Sequence, residues 1–312
     1  MVLNKVCKWM LLNNQISILL VTISIFAMMS APLSTTSTIQ FTFAEKPDNV
    51  GKPDDLGKPQ KVPIDEKITK KLFVQSDGTI LERTTHIFYF EGTDPKVNHA
   101  KGGNSDDKKS GPKGGGGGSD GTDQCYSFLE NGMKWKNTES YLVNPTSSNL
   151  DDNYVLNVIE AGAEAWDEQV SFEIFGTGSK DSSAQVILSN LDDKNVVVFG
   201  IVTDENGNVL DNVIAVTYTW ANWGAPKPWK QILEWDMVFN SGTFDFGDAS
   251  SNPSLMDLGG IGTHELGHAA GMGHTSTNSL CQEQTMYPTA GFGETKKRTL
   301  ELGDISGIKA LY

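Results

Sequence analysis

The feature that most constrains this chain is a cluster of three histidines in residues 264–274, which read HELGHAAGMGH. His264 and His268 are four residues apart, so on an α-helix their side chains project from one face, one turn apart. Gly271 can adopt the left-handed conformation that ends a helix, and the reversed chain can then bring His274 to the same point. Three neutral imidazoles leave a fourth position open, which is typical of a catalytic zinc site. The spacing therefore predicts one Zn²⁺ bound by the three histidines.

Glu265 follows the first histidine directly, which places a carboxylate beside the open position of the metal. A carboxylate there can take a proton from a water, so we expect Glu265 to act as a general base. The alternative interpretation is a helix whose histidines fill ordinary surface or core positions. Three His, one Glu and one Gly at these fixed spacings, in a chain with 5 His, disfavour that alternative.

These residues resemble the extended zinc motif HExxHxxGxxH of the metzincin metalloproteases, and within that clan they resemble the matrixins. Residues 285–288 (TMYP) resemble the Met-turn, in which Met286 would form an apolar floor beneath the zinc ligands. Thr275 and the chain end at 302–312 are also similar to matrixins. The resemblance covers about residues 125–312. It implies an α+β zincin fold, with a twisted mixed sheet, an active-site helix and a C-terminal helix, and it implies a zinc endopeptidase.

The resemblance also implies how a substrate binds. In matrixins an extended peptide pairs with an edge strand above the metal, and residues 213–220 (VIAVTYTW) are the similar strand here. We therefore expect a polypeptide substrate to be bound as an added strand. We also expect the protein to be a monomer. Alternation of apolar residues does not distinguish an edge strand from a core strand, so an ordinary core strand is the alternative.

The chain departs from the matrixin pattern in its cysteines, histidines and final acids. No segment resembles the propeptide motif that holds a thiol on the zinc. Cys125 could serve as such a thiol, or it could form a disulfide with Cys281, which export and the small number of cysteines favour. We expect His86 and His99, which precede the catalytic region, to be solvated surface residues. Of the paired acids that matrixins show in the last helix, Asp304 alone remains.

A cluster of oxygen-bearing side chains surrounds Gly207. Asp204, Asn206, Asn208 and Asp211 are residue types that suit a structural Ca²⁺ ion. The same composition equally suits a plain β-turn with exposed acids. Both interpretations stay open at this point.

The N-terminal third is organised differently from the rest of the chain. Lys5 and Lys8 are followed by an uncharged stretch to Ala44 with an apolar run at 16–31. This pattern predicts a cleaved secretory signal, or a retained membrane anchor, and either places the protein outside the cytoplasm, secreted or on the cell surface. The predicted segments are 1–44 signal or anchor, 45–61 Lys-Pro spacer, 62–95 small β segment or pro-segment, 96–122 Gly-rich flexible linker, and 123–312 catalytic domain.

The charge distribution bears on possible partners. The net charge is −14, and the imbalance lies in residues 123–312, which contain 10 basic and 26 acidic residues. An acidic domain repels phosphate, so we do not expect a nucleic-acid partner. A membrane would be contacted only through an N-terminal anchor.

Periodicity gives a coarse secondary structure. The predicted strands are 140–144, 184–190, 213–220 and 231–239, and the predicted helices are 150–169, 258–271 and 301–311, with Ser148 or Asn149 as cap of the first helix. Two further functions stay open beside the endopeptidase. One is a binding or adhesion module that keeps the fold without turnover, which the intact Glu265 disfavours. The other is a self-processing envelope protein that cleaves its own 96–122 linker.

Overall fold

The computed structural model describes residues 69–75, 77–93, 124–129, 132–204, 206–222, 225, 230–277 and 279–312. Helices and a mixed sheet combine in this part of the chain, which confirms the expected α+β class. The predicted signal or anchor, the Lys-Pro spacer, the Gly-rich linker and His99 lie outside the described residues. None of the described helices has the length and apolar character needed to cross a bilayer.

The main elements are numbered along the chain. The helices are α1 (Asp152–Asp167), α2 (Leu258–Ala270) and α3 (Leu302–Leu311), and 3₁₀ turns lie at Ser279–Cys281 and Lys296–Arg298. The strands are β1 (Thr69–Val74), β2 (Ile80–Phe90), β3 (Ser127–Phe128), β4 (Glu139–Asn144), β5 (Phe175–Lys180), β6 (Asn195–Phe199), β7 (Val213–Ala221), β8 (Ile232–Phe239), β9 (Phe246–Gly247), β10 (Met256–Asp257), β11 (Met272–Gly273) and β12 (Thr289–Ala290).

One sheet organises the fold. Its strands lie in the order β1-β2-β7-β8-β6-β4-β5, and β12 pairs with β2. The strands β5, β4, β6 and β8 are mutually parallel, whereas β7 is antiparallel to β8 and β2 is antiparallel to β7. The pairs β9–β10 and β3–β11 form two small separate ladders. The sheet is thus mixed, as expected, and the antiparallel strands β2 and β7 lie inside it and are mostly buried.

Helix α1 packs on α2 through an apolar face that its sequence spacing predicts. Val155, Ile159 and Trp166 are fully buried, and they recur at helical intervals. Gly162 lets the two helices approach closely, because a Cβ at that position would lie 3.0 Å from Leu266 Cδ1. The same cluster of buried side chains includes residues of β4, β6 and β8. The helix pair therefore supports the sheet from one face.

The start of α1 differs from the prediction. The cap is Asp151, whose carboxylate accepts the N–H groups of Asn153 and Tyr154. Ser148 instead accepts the N–H of Leu150 at 3.1 Å. Asp151 is favoured as the cap because its two-carbon side chain carries a full negative charge at the positive end of the helix.

The predicted strand at 184–190 is wrong. These residues form a loop, and the carbonyl of Leu188 in that loop accepts a hydrogen bond from the Arg83 guanidinium. The position between β4 and β8 is taken by β6, where Val196 and Val197 are fully buried. A short apolar run buried on both faces is typical of a parallel strand, and this run follows the polar turn that ends the loop.

The expected free edge at 213–220 is not present either. β7 pairs with β8 on one side and with β2 on the other, in a register that places Ile87 opposite Val216. The small β segment predicted at 62–95 contains β1 and β2, which add to the sheet as an antiparallel pair. The edge is therefore covered by an earlier segment of the same chain.

A disulfide joins Cys125 to Cys281, with a Cα–Cα distance of 5.3 Å across a sequence separation of 156 residues. It fastens the segment before β3 to the turn that follows β11. Both cysteines are buried. Because the two sulfurs bond each other, Cys125 offers no thiol to a metal in this structure.

Replacing Cys281 by serine should lower the free energy of unfolding by about 2–4 kcal/mol, because the unfolded chain regains the entropy of a long open loop. The measurement is denaturant unfolding of wild type and Cys281→Ser. Wild type treated with reductant serves as the control and should show the same loss. Equal midpoints for the oxidised wild type and the variant would contradict the disulfide.

Two acids are buried side by side on β8, on the face opposite the helices. Glu234 is 0% and Asp236 1% exposed, and the N–H of Asp192 donates to Glu234 Oε2 at 2.8 Å. Burial, with a smaller contribution from neighbouring carboxylates, raises the pKa of Glu234 to about 7 and that of Asp236 to about 8. The folded protein therefore keeps protons that the unfolded chain loses above about pH 4.

This difference makes stability fall as pH rises from about 4 to about 8, because the unfolded state binds fewer protons than the folded state in that range. Asp236→Asn should remove part of that decline and gain on the order of 1 kcal/mol relative to wild type at pH 8. The measurement is the thermal midpoint between pH 5 and 9. Asp245→Asn, at an exposed position, is the control. Parallel pH curves for wild type and Asp236→Asn would contradict the assignment.

Candidate metal centre

Helix α2 is fixed at both ends. Asp257 caps its first turn and forms an ion pair with Arg298. The helix ends at Gly271, which has φ +105°, and a Cβ there would overlap the carbonyl oxygen of Met133. Glycine is required at this turn because an L side chain tolerates neither the dihedral nor the close approach. The chain then reverses into β11 and returns His274 to the helix.

The three histidines converge through their Nε2 atoms. Nε2 of His274 lies 3.0 Å from that of His264 and 3.1 Å from that of His268. On the other side of each ring, Nδ1 of His264 lies 2.7 Å from the Thr285 carbonyl oxygen, and Nδ1 of His268 lies 2.9 Å from the Met272 carbonyl oxygen. A carbonyl oxygen only accepts, so both Nδ1 atoms carry the proton and both Nε2 atoms present a lone pair.

This donor set fits a zinc ion. A single proton on His274 Nε2 cannot form hydrogen bonds to the Nε2 lone pairs of both His264 and His268. One cation, in contrast, can be bound by all three Nε2 atoms. Tetrahedral bonds of about 2.0–2.1 Å place ligand nitrogens about 3.3 Å apart, close to the observed spacing. Burial lowers the pKa of His264 well below its ordinary value, which keeps that ring neutral. Within the described residues, the three histidines are the one group of three potential ligands whose ligand atoms lie within 4.8 Å of one another.

Glu265 is held by a hydroxyl on the neighbouring strand. Thr217 of β7 donates to Glu265 Oε2 at 2.5 Å. Both residues are 0% exposed. The carboxylate thus lies next to His264 in sequence and is oriented by a rigid sheet strand. The sequence identified Glu265, but a threonine inside an apolar strand gave no comparable signal for Thr217.

Met286 lies against α2 and contacts the helix by packing. A Cβ at position 267 would overlap Met286 Sδ and would lie 2.7 Å from Cζ2 of Trp166. Trp166 is anchored in turn by its indole N–H, which donates to the Thr263 carbonyl at 2.8 Å. Gly267 therefore lets a methionine and a tryptophan approach the helix between its two metal-facing histidines.

Asp304 holds the segment that contains Met286. Its carboxylate accepts the N–H groups of Thr285 at 2.7 Å, Met286 at 3.1 Å and Glu301 at 3.1 Å. Burial raises the pKa of Asp304 to about 6, although these backbone hydrogen bonds oppose the shift. The carbonyl of Thr285 orients His264, and the N–H of the same peptide, that of Met286, donates to Asp304. Asp304 therefore positions His264 through the Thr285–Met286 peptide. The sequence marked Asp304 as a remaining acid without indicating this role.

Two side chains of β2 lie directly against the histidines, so the prediction that His86 is solvated is wrong. The His86 ring stacks on that of His268 at 4.8 Å between centroids, and its Nε2 lies 3.0 Å from Thr219 Oγ1. The Phe88 ring stacks on His264 at 3.8 Å. Burial lowers the pKa of His86 to about 3. The alternation in THIFYF, which places 86, 88 and 90 on one face, was the available signal for this placement.

The proposed calcium loop is a turn closed by its own hydrogen bonds. Asp204 Oδ1 accepts the backbone N–H groups of Asn206 and Asn208, both at 2.9 Å, and Oδ2 accepts the Asn208 side-chain amide at 2.9 Å. Gly207 has φ +81°, which completes the turn. These bonds account for the residue types under the β-turn interpretation. Calcium held there together with Asp211 stays a prediction.

Comparisons with known proteins agree with this geometry. A family model described as Matrixin matches residues 134–312. Human matrilysin is 48% identical over 50 residues, which cover 16% of this chain and 17% of that protein. Two metalloendoproteinases of Arabidopsis thaliana also match: 2-MMP is 30% identical over 141 residues (44% and 35% of the two chains), and 4-MMP is 35% identical over 68 residues (22% and 18%). The chain thus spans between 17% and 35% of the length of these curated relatives.

Gly267→Ala should disrupt the metal centre, because the added methyl forces Met286 and Trp166 away from α2. Overpacking of this kind costs about 1–3 kcal/mol, and we expect a lower thermal midpoint together with weaker zinc retention. The measurement is thermal unfolding and zinc content after dialysis against a weak chelator. Gly259→Ala, on the same helix, is the control, because its Cβ would meet nothing closer than 3.5 Å. Unchanged zinc retention in Gly267→Ala would contradict the packing role.

Proposed function

The chain belongs to the matrixin family, and on that premise we propose that it is an exported, zinc-dependent endopeptidase. The observation that carries the proposal is the convergence of three imidazole Nε2 atoms beside Glu265. Three neutral ligands that leave a fourth position open, with a carboxylate beside that position, are typical of a catalytic zinc rather than a structural one. We assign His264, His268 and His274 as the metal ligands.

Zinc at this position would supply Lewis acidity toward a peptide carbonyl and a water. The chain's own residues then manage protons and orientation. Glu265 takes up a proton from the attacking water and delivers it to the departing amine. Thr217 donates to Oε2 of Glu265, so the carboxylate keeps its direction while the proton is moved. Asp304 keeps His264 in place through the Thr285 peptide.

The proposed substrate is a polypeptide in extended conformation. Thr217, which holds the general base, lies on β7, and the edge of β7 that is not paired with β8 is occupied by β2 in this structure. A peptide that pairs with β7 would carry its backbone across the histidines. Strand pairing uses the backbone N–H and C=O groups of the substrate, so the cleaved segment of the substrate must be extended or unfolded.

Two observations support a location outside the cytoplasm. The first 44 residues have the composition of a secretory signal or anchor. The Cys125–Cys281 disulfide is stable in an oxidising compartment, and disulfides are rare in the cytosol. We propose a secreted or cell-surface protein.

Glu265→Ala should reduce cleavage of denatured casein by about 10²–10⁴-fold, because the general base is removed. Zinc content should stay the same, since Glu265 is not a ligand. The measurement uses the zinc-loaded full chain, intact and after site-specific nicking within residues 94–123. Glu164→Ala, which removes an exposed carboxylate on α1, is the matched control, and a zinc chelator should abolish activity in all variants.

Two results would contradict this proposal in different ways. Equal cleavage by wild type and Glu265→Ala would remove the carboxylate from the mechanism. Absence of cleavage in both the intact and the nicked chain, with one zinc bound through the three histidines, would contradict an endopeptidase function.

A further inference from the structure

β2 is held between two backbone edges next to the metal centre. It runs antiparallel to β7 over residues 82–89 and parallel to β12 at its end. The N–H of Phe90 donates to the Asn212 carbonyl at 2.9 Å, and the N–H of Glu91 donates to the Ala290 carbonyl at 3.0 Å. A strand paired in this way occupies the place that the proposed function assigns to an extended substrate.

The side chains of β2 alternate between the metal centre and the opposite face of the sheet. His86 and Phe88 stack on His268 and His264. Ile87 instead belongs to a separate apolar cluster on the other face. The Phe88 ring packs on the His264 ring, and the Lys297 ammonium Nζ lies 5.8 Å from the Phe88 ring centroid. Phe88 therefore fills a socket beside the first metal ligand.

With β2 in place, the proposed reacting groups are closed to solvent. His264, Glu265 and His268 are each 0% exposed. Peptide hydrolysis requires a water and a substrate carbonyl at these groups, whereas here His86 and Phe88 of β2 lie against two of the three histidine rings. Of the three histidines, His274 alone is partly exposed. The two cysteines of the described residues, Cys125 and Cys281, are bonded to each other, so neither of them lies on the histidines as a thiol.

The first half of the hairpin is anchored away from the metal. Phe73 of β1 packs on Trp220 of β7 at 4.7 Å between ring centroids. The Arg83 guanidinium lies 5.5 Å from the Tyr218 ring and 5.7 Å from the Trp220 ring. Lys70 and Glu82 form an ion pair across the hairpin at 3.1 Å. The Phe73 and Arg83 contacts join the hairpin to β7, and the Lys70–Glu82 pair joins β1 to β2. None of these contacts involves a histidine of the metal centre.

We propose that β2 is a built-in occupant of the substrate cleft, which keeps the peptidase latent by strand pairing instead of by a thiol on the metal. This inference rests on the proposed function. β2 lies in the cleft as a peptide ligand would, with the Phe88 side chain in the socket beside His264. The cleft opens when the hairpin leaves β7, and the Gly-rich run at 114–118 is the place where a cut would free it.

The test is a reversible lock between the two strands. Ile87 and Val216 are directly paired and face away from the metal, so Ile87→Cys combined with Val216→Cys ties the hairpin to β7 without touching the site. Residues 114–118 are replaced by a site-specific protease sequence, and the zinc-loaded full chain is nicked there. The matched control is the same nicked chain without the two substitutions, treated with the same oxidant and reductant, which also reports any effect of reducing Cys125–Cys281.

Two readouts separate this inference from the proposed function. One is the binding of a fluorescent extended peptide that ends in a zinc-binding hydroxamate, followed by anisotropy. The other is cleavage of denatured casein. In the oxidised, locked chain we expect probe affinity at least about tenfold weaker than after reduction, because apparent affinity scales with the open fraction. Casein cleavage should be lost in the locked chain and restored on reduction.

Each other outcome decides a different point. Equal probe binding in the locked and reduced chains, or no binding in either, would overturn the occupancy of the cleft by β2. Probe binding that recovers on reduction without any casein cleavage would leave the occupancy standing and overturn the peptidase function.

A second variant tests the inference independently, in case the chain with Ile87→Cys and Val216→Cys does not fold. Phe88→Ala in the intact chain empties the socket while the hairpin anchors remain, so probe affinity should rise at least severalfold relative to wild type. Phe172→Ala, which removes a half-buried ring that stacks on Tyr312, is the matched control and should leave it unchanged. Equal affinity of wild type and Phe88→Ala for the probe would contradict the plug role of Phe88.

Discussion

The Nδ1–H groups of His264 and His268 each bind a main-chain carbonyl oxygen, and the metal centre depends on these two hydrogen bonds. They determine the tautomer, the ring orientation and the direction of the lone pair on each Nε2. The carbonyls belong to Thr285 and Met272, which the chain fixes by different means. Thr285 is held by Asp304, and Met272 follows the left-handed turn at Gly271. Two distant backbone segments thus aim the nitrogens, so that little rearrangement is required when an ion binds.

The convergence of His264, His268 and His274 could be predicted from the sequence because their placement is local. A four-residue spacing and a glycine turn describe the geometry of His264, His268 and Gly271 without reference to the rest of the fold. The helical spacing of Val155, Ile159 and Trp166 on α1 is local in the same way. The supporting residues were not found, because Thr217 and Asp304 act on partners 48 and 19 residues away along the chain. No local sequence pattern shows which distant residue a hydroxyl or a carboxylate will contact.

Strand positions show the same division between local and non-local information. Alternation predicted β2 as a strand, but the choice of the strand it pairs with depends on an edge that is formed more than a hundred residues later. The error at 184–190 has the same origin, since an apolar run becomes a strand only if the sheet has a vacant place for it. His86 was expected to be solvated because it precedes the domain in sequence, whereas pairing with β7 buries it against His268. Burial in a sheet is decided by neighbours.

The disulfide between Cys125 and Cys281 determines what a single cut in residues 94–123 separates. While the chain is whole, the hairpin is tethered to the domain, and its local concentration at β7 is on the order of millimolar. A cut ends that tether, and the hairpin is then retained only by its own affinity at the much lower bulk concentration. Cys125 stays attached to the domain through Cys281. The cut therefore releases the β1–β2 hairpin, while β3, which follows Cys125, stays in place. The Cys125–Cys281 disulfide therefore ensures that, after a cut, only the hairpin can dissociate from the domain and be diluted.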